Sequence, residues 1–225
     1  MSLQLRAAME IGAVMLVSVL AFILEVALAD FLPWGIESRG VLAVLSGCLA
    51  ALAVTLFAGR PFSHLGFRKP ARWWVALLWA VGIFLFSGIA QNLVPIMVNL
   101  VIELPQPDYS RYDFIKGNLT AAILMAIGLP LLAAVPEEII YRGFLIERLH
   151  VTLGEFRGSE YLAVVLQSLI FGAIHFQWGV GGVLVTVIMG LVWGLAFLLC
   201  GRNLWIVILA HSLGHMVLVS QIYAA

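Results

Sequence analysis

Three short stretches of the chain carry the side chains with useful chemistry. They are Pro136-Glu137-Glu138-Ile139-Ile140-Tyr141-Arg142, Phe171-Gly172-Ala173-Ile174-His175 and His211-Ser212-Leu213-Gly214-His215. Carboxylates and imidazoles activate water, move protons or bind metals. Two adjacent carboxylates in apolar surroundings repel each other and resist desolvation, so one of them needs a cation. Arg142 follows Glu138 by four residues and shares its helical face. Glu137 points about 100° away, so the pair reads as a fixed carboxylate beside a working base. His175 shares a face with Phe171, although a lone histidine in an apolar helix is ordinarily a packed one. His211 and His215, at i and i+4, project from one face of a helix. That spacing suits packed imidazoles or a metal pair.

The elements that hold these residues are membrane helices. Of 225 residues, 63% are hydrophobic and 11% charged, against roughly 25% charged in soluble domains. Mean hydropathy is +1.09. Apolar stretches recur at about 20 residues, enough to cross roughly 30 Å of hydrocarbon. The expected fold is an all-α polytopic membrane helix bundle with about seven transmembrane helices. The spans fall near 7–29, 41–58, 73–102 (with Pro95 inside), 119–149, 161–176, 181–200 and 204–223. Residues 1–114 form about three N-terminal helices, and 115–225 hold the helices with the chemistry. The apolar run before Ala27-Leu28-Ala29 is too long for a signal peptide and carries Glu10 and Glu25, so it reads as a retained helix.

Twelve basic and twelve acidic residues give no net charge, which speaks against a nucleic-acid partner. Cys48 and Cys200 lie far apart in apolar runs and read as buried free thiols. Basic residues orient the chain. Arg60, Arg68, Lys69 and Arg72 put loop 59–72 in the cytoplasm, and Arg6 puts the N-terminus there. Segment 147–160, with Arg148, Arg157 and also Glu147, Glu155 and Glu160, returns inside, as does Arg202. Loop 103–118 and the C-terminus fall outside. Gly190 and Gly194 form a GxxxG that suits close helix packing, or a homodimer. Glu10 and Glu25, near helix ends, are expected in structural or interfacial roles, and Gln91 and Asn92 in hydrogen bonds between helices.

Ionisable groups at membrane depth are functional candidates because burying them is costly. Straight helices put Glu137 roughly 18 Å above Leu149 and His175 roughly 21 Å above Tyr161. His211 and His215 lie roughly 10 and 16 Å in from Leu204. All are measured from the same side, so the three groups converge at similar depth.

In this order, the groups resemble the signature of the CPBP family, which comprises CAAX prenyl proteases and bacteriocin-processing (Abi) proteins: EExxxR, FxxxH, then HxxxN or HxxxD. The resemblance covers about residues 115–220 and extends through Arg142-Gly143-Phe144-Leu145. It departs at His215, where the family has Asn or Asp. It implies a glutamic-type intramembrane endopeptidase of the inner (plasma) membrane, without metal or cofactor, acting on a membrane-anchored peptide or protein. Glu137 would be the general base and His175 would help hold the water. His211, with His215 in the Asn place, would donate to the oxyanion. Glu138, Arg142 and Phe171 would support them. Two other readings stay open. One is a metal-dependent membrane protease, against which stand the missing HExxH and the nearby Arg142 cation. The other is a non-proteolytic immunity or scaffold protein of the same fold.

Overall fold

Helices account for nearly all of the regular structure, as the apolar runs require: in hydrocarbon only internally bonded backbone is tolerated. The computed structural model describes residues 1–28, 31, 40–154 and 156–225. Ala29 and Glu155, named above, lie outside the described residues. The long helices are α1 (Leu3–Ala27), α2 (Val41–Phe57), α3 (Trp73–Asn99), α4 (Leu119–Leu153), α5 (Ser159–Ala173), α6 (Gly179–Leu199) and α7 (Leu204–Ala224). No strand occurs among the described residues. Each expected span meets one of these helices, but five are long and apolar enough to cross a bilayer, whereas α2 and α5 are shorter. At 17 and 15 residues these two cover about 25 and 22 Å. The chain is multi-pass; the count of seven full crossings does not follow from it.

Local chemistry sets several boundaries. The side chain of Asn118 accepts from the Ala121 N–H and that of Asn203 from the Trp205 N–H, so α4 and α7 begin there. Glu25, 1% exposed, accepts from the backbone N–H of Gly40 at 2.7 Å and of Leu42. Of the structural and interfacial roles expected for it, it therefore has the structural one, as a buried cap for the start of α2. Gln91 and Asn92 also differ from expectation. Each donates back into its own helix, Gln91 to Ser87 and Asn92 to the Gly88 carbonyl. Intrahelical carbonyls are the nearest acceptors for an amide with no polar neighbour across the groove. Helix α3 passes Pro95 and ends at Asn99, whose Oδ1 takes the Leu104 N–H.

The glycines of the GxxxG face inward. A Cβ on Gly190 would lie 2.9 Å from Ser168 Cα, and one on Gly194 would lie 2.7 Å from Val164 Cγ1. The motif thus lets α5 and α6 approach within the chain. Around this pair, α1 packs on α2 and on the last turns of α4, while α3 packs on α6 and α7. Ala76 and Ala80 of α3 meet Trp193, Ile206 and Ala210.

The two ends of the bundle differ. Arg6, Glu10, Arg60, His64, Glu147 and Arg148 meet in one network at one end. Arg202 reaches Glu160 there, and Arg68 reaches the Gly201 carbonyl. The basic segments that the charge pattern grouped on one side do lie on one side. At the other end, segment 103–118 folds against the bundle: Asp108 N–H bonds the Trp178 carbonyl and Gly117 N–H the Tyr223 carbonyl. Hydrogen bonds from Ser110 hold the Asp108 carboxyl below its usual range.

Candidate active site

Helix α4 is irregular where the chemistry sits. Pro130 and Pro136 lack an N–H to give to the preceding turn. Residues Pro130–Ala134 and Ile139–Leu145 are π-helical, with Val135–Glu138 between them. Such widened turns are uncommon and gather at functional sites. All of Ile139–Leu145 is buried, so this stretch is the axis of the bundle.

Glu138 and Arg142 are both 0% exposed. Arg142 Nη1 donates to Glu138 Oε1 at 2.8 Å, and His211 Nδ1 donates to the same oxygen at 2.8 Å. The rest of the guanidinium lies on aromatic rings, 4.6 Å from the Phe171 centroid and 5.4 Å from that of Trp193. Its Nε and Nη2 and the Glu138 Oε2 find no hydrogen-bond partner among the described residues. Ring faces stand in for the acceptors that the guanidinium lacks. The pair forms a sealed anchor for His211. With Nδ1–H spent on Glu138, the neutral His211 ring presents a lone pair at Nε2.

Glu137 is different. It is 7% exposed, has no arginine or lysine paired to it among the described residues, and its Oε2 lies 3.8 Å from His211 Nε2. Its oxygens are not sealed from accessible space as Glu138 Oε2 is. A carboxylate that is almost buried, reachable and without an arginine or lysine partner is equipped to hold and deprotonate a water.

His175 does not lie within a helix, as expected, but just beyond one. Helix α5 ends at Ala173, and His175 opens the 3₁₀ turn Phe176–Trp178. That break lets Nδ1–H donate to the Phe171 carbonyl at 2.6 Å, so Nε2 is again a lone pair. Phe171 is 0% exposed and is a hub: its ring meets Tyr141 at 4.9 Å, His175 at 4.8 Å and the Arg142 guanidinium. Trp178 covers the other face of His175 at 4.6 Å. No direct hydrogen bond joins His175 to Glu137 among the described residues.

His215 stacks on His211, with centroids 4.5 Å apart, and its Nδ1 is buried without a partner among the described residues. It lines the site beside the imidazole that touches the carboxylates. Thus Glu137, Glu138, Arg142, Phe171, His175, His211 and His215 gather in one place. No group of three or more His, Cys, Asp or Glu among the described residues is arranged to hold a metal ion.

The floor of the site went unread in the sequence. The 3₁₀ turn Phe62–Leu65 tucks Leu65, 2% exposed, under α4. A Cβ on Gly143 would lie 2.7 Å from the Leu65 carbonyl oxygen, and Leu204 N–H bonds the Gly66 carbonyl at 2.9 Å. Gly143 and Leu204 therefore start from one level. Six residues back along α4 and seven forward along α7 both cover about 10 Å, and they end at Glu137 and His211. This re-entrant turn explains why α7 reaches the site in so few residues. Trp193, which stacks on His211 at 4.3 Å, also went unread, because an aromatic among apolar residues carries no signal of its own.

No curated protein and no solved structure matches the chain. Residues 119–217, which carry every one of the site side chains above from Glu137 to His215, match the family model described as Type II CAAX prenyl endopeptidase Rce1-like, in keeping with the resemblance of the ordered motifs to the CPBP family.

Proposed function

We propose that the protein is an intramembrane endopeptidase in which Glu137 activates water against an amide of a membrane-anchored peptide or protein. The class named by the family, a prenylated C-terminal peptide, is the first substrate to try. The observation that carries this reading is a reachable Glu137, without an arginine or lysine partner among the described residues, beside a Glu138 whose Oε1 takes both Arg142 and His211. The match to the model of a protease family supports it.

In the proposed reaction the water gives a proton to Glu137 as its oxygen bonds the carbonyl carbon. The carbonyl electron pair moves onto its oxygen. When the tetrahedral species collapses, the C–N bond breaks and the proton on Glu137 passes to the leaving nitrogen, giving an acid and an amine. The Nε2 lone pair of His175 accepts the second hydrogen of the water and orients it. His211 in its neutral form accepts as well, and donates to the oxyanion only as an imidazolium between the two carboxylates. His215 occupies the position beside it.

The end bearing Arg6, Arg60, Arg148 and Arg202 is the cytoplasmic one by the charge rule, in the inner (plasma) membrane. The N-terminus is then cytoplasmic and the C-terminus outside. The test is a comparison of membrane-protein termini in cells making the wild type or Glu137→Ala. Termini that appear only with the wild type, in the presence of a chelator as in its absence, are the expected result. Identical termini in the two strains overturn the reading.

A further inference from the structure

In the arrangement above, the groups facing the reacting position are all acceptors when neutral. Glu137 is a carboxylate. His175 has given its Nδ1 proton to the Phe171 carbonyl, and His211 has given its own to Glu138. Yet hydrolysis of an amide builds negative charge on the carbonyl oxygen, and a fixed donor aimed there is usually the largest single contribution to catalysis. The site needs an O–H or N–H that carries its proton in the resting state.

Tyr141 is placed to meet that need, because it shares the face of α4 that carries Glu137. It follows Glu137 by four residues, close to one turn along α4. Its ring is held edge-on to Phe171 at 4.9 Å, and Phe171 carries His175 beside it at 4.8 Å. The residue is 4% exposed, and it stands within electrostatic reach of both Glu137 and Arg142. Its hydroxyl has no hydrogen-bond partner among the described residues, and it is not among the polar atoms sealed from accessible space. A buried phenol ordinarily finds a partner for its hydroxyl. Here the ring packs on Phe171, and the polar tip is left without a partner among the described residues, on the face of α4 that carries Glu137.

We infer that the Tyr141 hydroxyl donates a hydrogen bond to the oxyanion formed when Glu137-activated water attacks the amide. The inference rests on the endopeptidase reading of the site. The O–H bond stays intact throughout: Tyr141 stabilises charge and transfers no proton, while Glu137 carries the proton from water to the leaving nitrogen. The arrangement also gives the departure at His215 a reason. A site with a tyrosine donor on α4 does not depend on an amide donor at residue 215.

The test uses the full chain in membranes. Substrate termini are first defined as those present with the wild type and absent with Glu137→Ala. Their rate of appearance is then followed by pulse-chase in Tyr141→Phe, which keeps the ring on Phe171 and removes one oxygen. Melting of the purified variant and co-purification of uncleaved substrate report fold and binding. The expected result is a rate about 100-fold lower, with melting and substrate capture unchanged. A Tyr141→Phe rate within about threefold of wild type overturns the donor role while leaving the endopeptidase reading intact. A slow variant that melts early or captures no substrate overturns it too, because the oxygen then serves folding or binding. Termini that are the same in wild type and Glu137→Ala overturn both readings together.

Discussion

Two clusters of Glu, Arg and His lie in this bundle, and they are built to opposite rules. At the basic end, Glu10 takes Arg6, Arg60 and Arg148, while Glu147 takes Arg148 and His64. Every carboxylate there is paired, at the edge of the bundle. At the centre, Glu138 holds Arg142 and His211 at 2.8 Å, whereas among the described residues Glu137 has only the longer 3.8 Å approach of His211, although both are nearly or wholly buried. Charge that serves the fold is neutralised wherever partners can reach it, because desolvated charge is expensive. A charge left without a cation in the interior, next to one that has two partners, costs stability that the fold recovers elsewhere. That asymmetry across one peptide bond distinguishes the chemical site from a structural ion pair.

The contrast can be broken by substitution. The largest effect is expected from Glu137→Gln. Loss of a general base lowers the processing rate by about 10²–10⁴, with melting unchanged. If the Glu137 and Glu138 sides were equivalent, Glu137→Gln and Glu138→Gln would lose fold and activity alike. Arg142→Ala should instead remove a partner from a fully buried carboxylate and cost about 3–5 kcal/mol, read as a lower melting temperature and loss of protein from membranes. Gly143→Val sharpens the case for the re-entrant floor. Its side chain runs into the Leu65 carbonyl, so overpacking of about 1–3 kcal/mol is expected, with a lowered rate as α7 shifts. Glu10→Gln, in the saturated cluster, should cost about 1 kcal/mol or less and leave the processing rate at the wild-type value.

The central cluster was legible in the sequence because each of its members is costly in an apolar span. Glu137, Glu138, Arg142, His175 and His211 stand out against Leu, Val and Ile, and the i, i+4 spacing of Glu138 and Arg142 gave their contact. The fold class was legible for the same reason. What escaped depends on contacts between distant parts of the chain. Nothing in Phe62–Leu65 announces that Leu65 lies under Gly143, the contact that sets Leu204 at the level from which His211 reaches the site. The two π-turns of α4 follow from Pro130 and Pro136 only once the surrounding helices bury the widened stretch. The end of α5 before His175 escaped because no proline or charge marks it, and the directions of the imidazole protons are set by the carbonyl of Phe171 and the carboxylate of Glu138. The partners of Glu25 escaped because its two backbone donors, on Gly40 and Leu42, begin a different helix.

The most direct measurement is a paired one on the two adjacent glutamates. Glu137→Gln and Glu138→Gln are purified, and for each the melting temperature and the rate of substrate processing are recorded. The account predicts that Glu137→Gln melts with the wild type and processes nothing, while Glu138→Gln melts early. A Glu137→Gln protein that still processes substrate at the wild-type rate would contradict it.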